Sequence, residues 1–169
     1  MTKSLVLTGM MGVGKSTVGK ILSKKLKMKF IDIDSVIEGQ ENMTIEKIFQ
    51  KKGEKLFREI EVKISLSQLS RNGVVLALGG GAFMDSNIRN YILNNCASFW
   101  LDLDVTELLN RSNLLKKRPL LKSSDIKKTL MNLYNERKNI YKLANYRIKC
   151  KNETKFSIAN NIAKIYETI

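Results

Sequence analysis

Short apolar runs alternate along this chain with longer stretches in which apolar residues recur at helical spacing. The first two runs, residues 5–8 and the sequence KFIDID, precede predicted helices over residues 15–27 and from Ser35 onward. Nearly continuous apolar runs are typical of parallel strands that are buried on both faces. The pattern therefore predicts an α/β fold in which a central parallel sheet lies between two layers of helices.

Three further apolar runs continue this alternation. VVLALGGG precedes a predicted helix over residues 86–93, ASFWLDLD precedes one over residues 105–111, and YRIKC precedes a C-terminal helix over residues 155–169. A chain of 169 residues is long enough to bury a core of its own. We therefore expect a single domain over residues 1–169, with a sheet of about five strands.

Two segments interrupt the alternation. Residues 35–71 are too long for one crossover helix and contain a break at Lys52 and Gly53, which predicts a helical subdomain. Residues 113–124 show little apolar periodicity and contain the only proline of the chain. This second segment is predicted to be a mobile loop, followed by a helix over residues 125–143.

The sequence GMMGVGKST, residues 9–17, lies between the first predicted strand and the first predicted helix. It matches the phosphate-loop pattern G-x-x-x-x-G-K-[ST] in the context that this pattern requires. Glycines let backbone N–H groups approach phosphate oxygens, Lys15 can bridge the β- and γ-phosphates, and Ser16 is placed to bind Mg²⁺. Thr17 adds a hydroxyl for the inner phosphates. The loop therefore predicts a site for a nucleotide, ATP, with one Mg²⁺ ion.

The chain contains no histidine, so a general base near neutral pH is expected to be an aspartate or a glutamate. Asp32 and Asp34 lie at the carboxyl end of the second predicted strand, where open α/β sheets bind their ligands. Strand alternation predicts that the two side chains share a face, one serving the metal and the other an acceptor hydroxyl. The competing interpretation is that Asp34 only caps a helix starting near Val36. Asp104 and Glu107 are predicted to form a helix capping box instead.

Arginines and glycines elsewhere indicate a site for an anionic acceptor. Arg58 and Glu61 lie one helical turn apart, so the carboxylate can orient the guanidinium, although such pairs are often solvated surface charges. Three glycines at residues 79–81 follow a buried strand and favour close approach of the backbone to a ligand. Arg137, in a predicted helix, cannot be distinguished from surface charge by sequence alone. Arg118 precedes the proline of the predicted loop and is a candidate arginine finger, with a solvated lysine-rich loop as the alternative.

The motifs GMMGVGKST, DID, LFREIE, LGGGAF, KKRPLL and NERKNIY occur in the order and spacing of the shikimate kinases, which the chain resembles nearly from end to end. The resemblance implies a three-layer fold of the P-loop NTPase type, similar to that of the NMP kinases. In this fold a substrate-binding subdomain covers residues 32–61 and a mobile lid covers residues 113–124. The resemblance also implies transfer of the γ-phosphoryl group of ATP to the 3-hydroxyl of shikimate, within aromatic amino-acid biosynthesis.

The resemblance further implies a role for each matching residue. Lys15, Asp34 and Arg118 are expected to be catalytic, and Mg²⁺ is expected to bind Ser16 directly and Asp32 through water. The expected ATP site comprises Gly12, Val13, Gly14, Lys15, Ser16, Thr17, Arg111 and Arg118. The expected shikimate site comprises Asp34, Arg58, Glu61, Gly79, Gly80, Gly81 and Arg137. Two points stay open: whether Asp34 is a true base or a positioner, and which residues besides Arg111 hold the adenine, with Lys151 and Lys155 as alternatives.

Composition bears on the partners and the location. The formal net charge of +14 is concentrated in residues 111–155, which contain 14 Lys and Arg residues and three acidic residues. Such a segment can bind nucleic acid, an acidic surface or a small polyanion, with a solvated basic face as the alternative. Its basic residues are mostly lysines and do not indicate the basic surface with interleaved aromatic residues that is typical of nucleic-acid binding. No apolar run has the length of a membrane span, and Cys96 and Cys150 match no metal or redox spacing. We expect a cytoplasmic protein with reduced cysteines, no nucleic-acid or membrane partner and, from the family, a monomer.

Two other functions compete with this interpretation. A kinase for gluconate or for a nucleoside monophosphate would share the phosphate loop, and gluconate is also a hydroxylated carboxylate. A nucleic-acid-dependent NTPase would account for the basic segment. The glycine triplet and the Phe57–Arg58 pair favour shikimate over the other kinase substrates.

Overall fold

The computed structural model describes residues 3–111, 119–121 and 125–169. The strands in these ranges are β1 (Ser4–Thr8), β2 (Lys29–Asp32), β3 (Val74–Ala77), β4 (Cys96–Asp102) and β5 (Tyr146–Lys149). They form one sheet in the order β2-β3-β1-β4-β5, and every neighbouring pair is parallel. The predicted α/β fold with a central parallel sheet is confirmed.

The helices of the described part are α1 (Lys15–Leu26), α2 (Ile33–Glu41), α3 (Ile45–Leu69), α4 (Ser86–Asn95), α5 (Val105–Leu109), α6 (Ile126–Tyr141) and α7 (Lys155–Tyr166). Short 3-10 turns cover Ala82–Met84 and Pro119–Leu121. Every residue of β1, β3 and β4 is buried. Because successive strand residues point to opposite faces, this burial requires helices on both sides of the sheet.

The predicted break inside the helical subdomain is confirmed at Gly53. This glycine has φ of +78° within α3, so the helix axis changes direction there. The segment predicted to be a helical subdomain therefore consists of α2 and of α3, which Gly53 divides into two parts.

The start of α2 differs from the prediction. β2 ends at Asp32, and Asp34 lies in the first turn of α2 rather than on the strand, so the strand-alternation argument was wrong. The alternative, Asp34 as the helix cap, was also wrong. The Asp32 carboxylate accepts from the Ser35 N–H at 3.3 Å and starts the helix directly after the strand.

The prediction that Asp104 is a helix N-cap is confirmed in its position, with Glu107 in the first turn of α5, but the described residues do not form the capping box itself. The Asp104 side chain makes no capping hydrogen bond with described residues at the start of α5, and its carboxylate lies 3.4 Å from Lys151 Nζ instead. An ion pair with a neighbouring loop replaces the local bond that the sequence suggested.

Most of the predicted lid, including Arg118, lies outside the described residues, of which only Pro119–Leu121 belong to it. Cys96 and Cys150 are buried free thiols. Burial raises the pKa of each to about 11, which keeps both protonated at neutral pH. No helix within the described ranges is long and apolar enough to cross a membrane.

Candidate functional site

The phosphate loop joins the carboxyl end of β1 to the start of α1, the sheet edge at which parallel α/β proteins bind ligands. Gly14 precedes α1 with φ of +102°, and a Cβ atom there would lie 2.5 Å from Lys155 Nζ. Among the described residues no side chain caps α1. Backbone N–H groups at an uncapped helix start are suited to binding phosphate.

Three cationic side chains bind carbonyl groups of this loop. Lys15 Nζ donates to two carbonyls at the start of the loop, at 2.8 and 3.0 Å. Arg111 and Lys155 both donate to the Val13 carbonyl, at 3.1 and 2.6 Å. Burial and the nearby Arg111 lower the pKa of Lys155. This concentration of positive charge favours a polyphosphate ligand.

The oxygen side chains expected to serve Mg²⁺ lie next to the loop. The Ser16 hydroxyl donates to the Asp32 carboxylate, and Ser16, Asp32 and Asp34 line one cavity. Asp34 thus reaches this cavity from a helix rather than by strand alternation. Hydroxyl and carboxylate oxygens suit Mg²⁺, which keeps several waters and phosphate oxygens as ligands. Within the described ranges, no group of three or more His, Cys, Asp or Glu side chains is arranged to hold a metal ion.

A second cavity borders the phosphate loop at Met11. Its charged groups come from three separate helices: Asp34 from α2, Arg58 and Glu61 from α3, and Arg137 from α6. The remaining wall is backbone and apolar surface, formed by Met11, Ile45, Phe49, Phe57, Gly80, Gly81, Pro119 and Leu120. Sequence reasoning missed Ile45 and Phe49, because no motif separates these two side chains from ordinary core residues.

Arg58 is held by two carboxylates. Its guanidinium donates to Glu61 at 2.7 Å and to Glu54 at 3.3 Å, and it lies 5.2 Å from the centre of the Phe57 ring. Burial lowers the pKa of Arg58, but the two carboxylates raise it by more, so its net pKa lies above the ordinary value. Arg58 is therefore a fixed positive charge. The predicted contact, in which Glu61 orients the Arg58 guanidinium, is observed.

Glu61 is itself almost completely buried, with 2% of its surface exposed. Burial raises the pKa of its carboxyl, Arg58 lowers it by less, and the charge of Asp34 raises it further. We infer that Glu61 orients Arg58 at the cost of its own desolvation. An ion pair whose carboxylate is buried and has a shifted pKa is more typical of a functional site than of a solvated surface.

Arg137 is not a surface charge, although its sequence context resembles one. Only 7% of its surface is exposed, and its Nη1 donates to the Gly80 carbonyl at 3.2 Å. No local signal could have revealed this contact, because Gly80 and Arg137 are distant in sequence.

The glycine triplet is crowded by the charged side chains. A Cβ atom at Gly79 would lie 2.6 Å from Glu61 Oε1 and 2.8 Å from Asp34 Oδ1. A Cβ atom at Gly81 would lie 2.6 Å from Nη1 of the Arg58 guanidinium. A side chain at Gly79 or Gly81 would therefore displace these three charged groups from the cavity that they surround.

Comparison with known proteins identifies the family. The shikimate kinase family model matches residues 11–167, which is nearly the whole chain. The chain belongs to the shikimate kinase family. Shikimate kinases are ATP-dependent kinases, so the chain is a small-molecule kinase, in agreement with the phosphate loop.

Individual members of the family match this chain over almost their full lengths. A shikimate kinase of Sulfurihydrogenibium sp. is 44% identical over 160 residues, which cover 95% of this chain and 95% of that protein. The solved shikimate kinase of Acinetobacter baumannii, in complex with shikimate, is 32% identical, with a TM-score of 0.95 and coverage of 99% of this chain and 94% of that chain. The shikimate kinase of Aquifex aeolicus is 31% identical with a TM-score of 0.85, covering 97% and 96%.

A gluconokinase of Sinorhizobium meliloti is also similar in structure, with a TM-score of 0.58 at 14% identity, covering 99% of this chain and 95% of that chain. At this identity the similarity concerns the fold alone. The shared P-loop kinase fold explains why the phosphate loop by itself did not separate shikimate kinases from gluconate kinases.

Proposed function

We propose that this chain transfers the γ-phosphoryl group of ATP to the 3-hydroxyl of shikimate, giving shikimate 3-phosphate and ADP. The observation that carries the proposal is the convergence of Arg58, Arg137 and Asp34 on one cavity beside the phosphate loop. A Cβ atom on Gly80 would lie 3.3 Å from Met11 N, so the two loops are in contact. Family membership and the relatives supply the identity of the acceptor.

The charges of this cavity suit a small hydroxylated acid. Arg58 and Arg137 would bind the carboxylate through their planar guanidinium groups, with the backbone of Gly80 beside them. Glu61 keeps Arg58 in position. Asp34 would then face an acceptor hydroxyl, orient it and accept its proton.

On the nucleotide side, Lys15 and the N-terminus of α1 would hold the phosphates, with Gly12, Val13, Gly14, Ser16 and Thr17 forming the rest of the loop. Ser16 would bind Mg²⁺ directly and Asp32 would hold it through water, which their oxygen atoms suit. When bound, Mg²⁺ supplies positive charge that neutralises phosphate oxygens. Arg111 would lie against the adenine, and Arg118, outside the described residues, would act as the arginine finger. The cytoplasmic location, the monomeric state and the absence of nucleic-acid and membrane partners remain part of this proposal.

The proposal is tested by measuring ADP release with shikimate, gluconate and a nucleoside monophosphate as acceptors. We expect rapid, saturable ADP release with shikimate, its loss on addition of EDTA and its return with excess Mg²⁺. Faster turnover of gluconate or of the nucleotide would contradict the proposal. ADP release that depends on RNA or DNA and not on a small acceptor would favour the nucleic-acid-dependent NTPase.

Arg58→Ala is expected to raise the KM for shikimate about 10- to 100-fold, because a charge-assisted contact to the carboxylate is worth about 1.5–3 kcal/mol. The KM for ATP should change little. The matched control is Lys55→Ala, which removes an exposed cation on the same helix. An unchanged KM for shikimate in Arg58→Ala would rule out the proposed carboxylate contact.

A further inference from the structure

Tyr141 is completely buried at the end of α6, and its hydroxyl donates to the Gly80 carbonyl. The same carbonyl accepts from Arg137, which lies one helical turn earlier on the same face of α6. The Tyr141 ring stacks on Trp100 of β4, with ring centroids 5.9 Å apart. Helix α6 thus holds one carbonyl of the glycine triplet with two side chains.

These two hydrogen bonds fix the orientation of a peptide plane. The Gly80 carbonyl and the Gly81 N–H belong to one planar unit and point in opposite directions. Glycines have no side chains that could restrain such a plane through packing. Because Tyr141 and Arg137 hold the carbonyl, they also fix the direction of the Gly81 N–H, and both glycines line the acceptor cavity.

Tyr141 also lies where the acceptor cavity meets the phosphate loop. Its hydroxyl is 3.9 Å from Met10 Sδ, and the next loop residue, Met11, lines the acceptor cavity. Burial raises the pKa of the Tyr141 hydroxyl to about 12, and the opposing effect of Arg137 is smaller. The hydroxyl is therefore a permanent hydrogen-bond donor at neutral pH. Tyr141 is absent from the lining of the cavity itself.

We propose that Tyr141 is a positioning residue for the acceptor, whose hydroxyl holds the Gly80–Gly81 peptide in the orientation that receives the acceptor carboxylate. The inference rests on the proposed function, because it requires a carboxylate bound by Arg58, Arg137 and the glycine triplet. It adds a specific role for a side chain that does not line the cavity and to which the motif NERKNIY, although it ends at Tyr141, assigned none.

The test compares Tyr141→Phe with Tyr134→Phe in the full-length chain. Both substitutions remove only a hydroxyl, and both lie on α6. The Tyr134 hydroxyl donates to Asp102 at 3.0 Å, and burial raises its pKa to about 12 as well. Calorimetry would give the Kd of shikimate, steady-state kinetics both KM values and kcat, and urea denaturation the stability of each variant.

For Tyr141→Phe we expect the Kd and the KM of shikimate to rise about 5- to 20-fold, with the KM of ATP changed less than about twofold. Tyr134→Phe should leave shikimate binding within about twofold of wild type at a comparable loss of stability. If Tyr141→Phe is too unstable for the standard assay, the titrations are run well below its midpoint temperature, with the wild type at the same temperature.

Three results would overturn the inference: wild-type shikimate binding in Tyr141→Phe, an equal loss in Tyr134→Phe, or an equal loss of ATP affinity in Tyr141→Phe. The last two would indicate general destabilisation rather than positioning. These failures are distinct from a failure of the proposed function, which would appear as wild-type protein that neither binds nor phosphorylates shikimate.

Discussion

Asp34→Asn is expected to lower kcat about 10²- to 10⁴-fold, the range typical for loss of a general base. Within the described ranges, Asp34 is the one carboxylate that lines both the acceptor cavity and the cavity with Ser16 and Asp32. Asparagine has the same shape and can still accept a hydrogen bond, but it cannot take a proton. The fold should stay intact, since removal of this charge relieves its repulsion of Glu61.

The measurement is ADP release at saturating ATP and shikimate, together with the Kd of shikimate. A fall in kcat with little change in Kd would identify Asp34 as the base, and a parallel loss of both would identify a positioner. The control is Asp104→Asn, because Asp104 is exposed and, within the described part of the chain, its carboxylate forms an ion pair with Lys151 alone, at 3.4 Å. Near-normal turnover in Asp34→Asn would exclude both roles.

The features that could be predicted from the sequence are those that depend on residues close together along the chain. The strands appear as apolar runs, and the phosphate loop combines glycines, a lysine and a hydroxyl within nine positions. Gly53 marks a helix break that needs no tertiary information. The layers follow from the alternation of strands and helices, whereas the strand order β2-β3-β1-β4-β5 is known only from the structure.

The position of Asp34 shows where local reasoning failed. The sequence DID reads equally well as a strand end or as a helix start, and the Asp32 cap decides between the two. Asp32 and Asp34 nevertheless line the same cavity, as expected, because a helix that starts directly after a strand keeps both carboxylates at the same edge of the sheet.

Arg137 and Tyr141 show what the sequence could not supply. Both bind a carbonyl that lies 57 and 61 residues away in the chain, and although both belong to the motif NERKNIY, nothing in that motif indicates this contact. The resemblance to a family marked Arg137 as a candidate but gave no reason to select Tyr141. Contacts of such separation become visible only when the fold is known.

The basic segment illustrates a similar limit. Its charge suggested a nucleic-acid partner or a solvated face, whereas several of its members have individual partners in the structure. Arg111 and Lys155 bind the phosphate loop. Arg147 makes two hydrogen bonds to the buried Asp102 carboxylate, at 2.6 and 2.9 Å, and lies over the Trp100 ring. Net charge counted along a chain thus says little about what each charge does.

Lys15→Met is the second substitution with a large expected effect: kcat should fall about 10²- to 10³-fold, as for other lost groups that stabilise developing charge. Lys15 is 8% exposed, and its ammonium group binds two carbonyls at the start of the phosphate loop. It is therefore confined to the loop that is proposed to hold the triphosphate. Methionine has a similar length but brings neither a charge nor a donor.

Two causes of this loss have to be separated, because Lys15 also holds the loop together. A charge that acts on the transferring group affects kcat far more than the binding of ADP, which lacks that group. A distorted loop would weaken ADP binding as much as turnover. We expect the first result, with the Kd of ADP raised less than about tenfold.

Lys20→Met provides the matched control, since it removes an exposed lysine from the same helix α1. It should leave both kcat and ADP binding unchanged within about twofold, as is usual for surface substitutions. Lys15 and Arg118 are the two side-chain cations proposed to act on the transferring phosphoryl group. If Lys15→Met weakens ADP binding in proportion to kcat, Lys15 acts on the shape of the loop rather than on the transferred phosphate. In that case only Arg118, in the predicted lid, would remain in this role. The comparison of kcat with ADP affinity therefore decides whether transfer depends on a charge carried by the loop or on one carried by the lid.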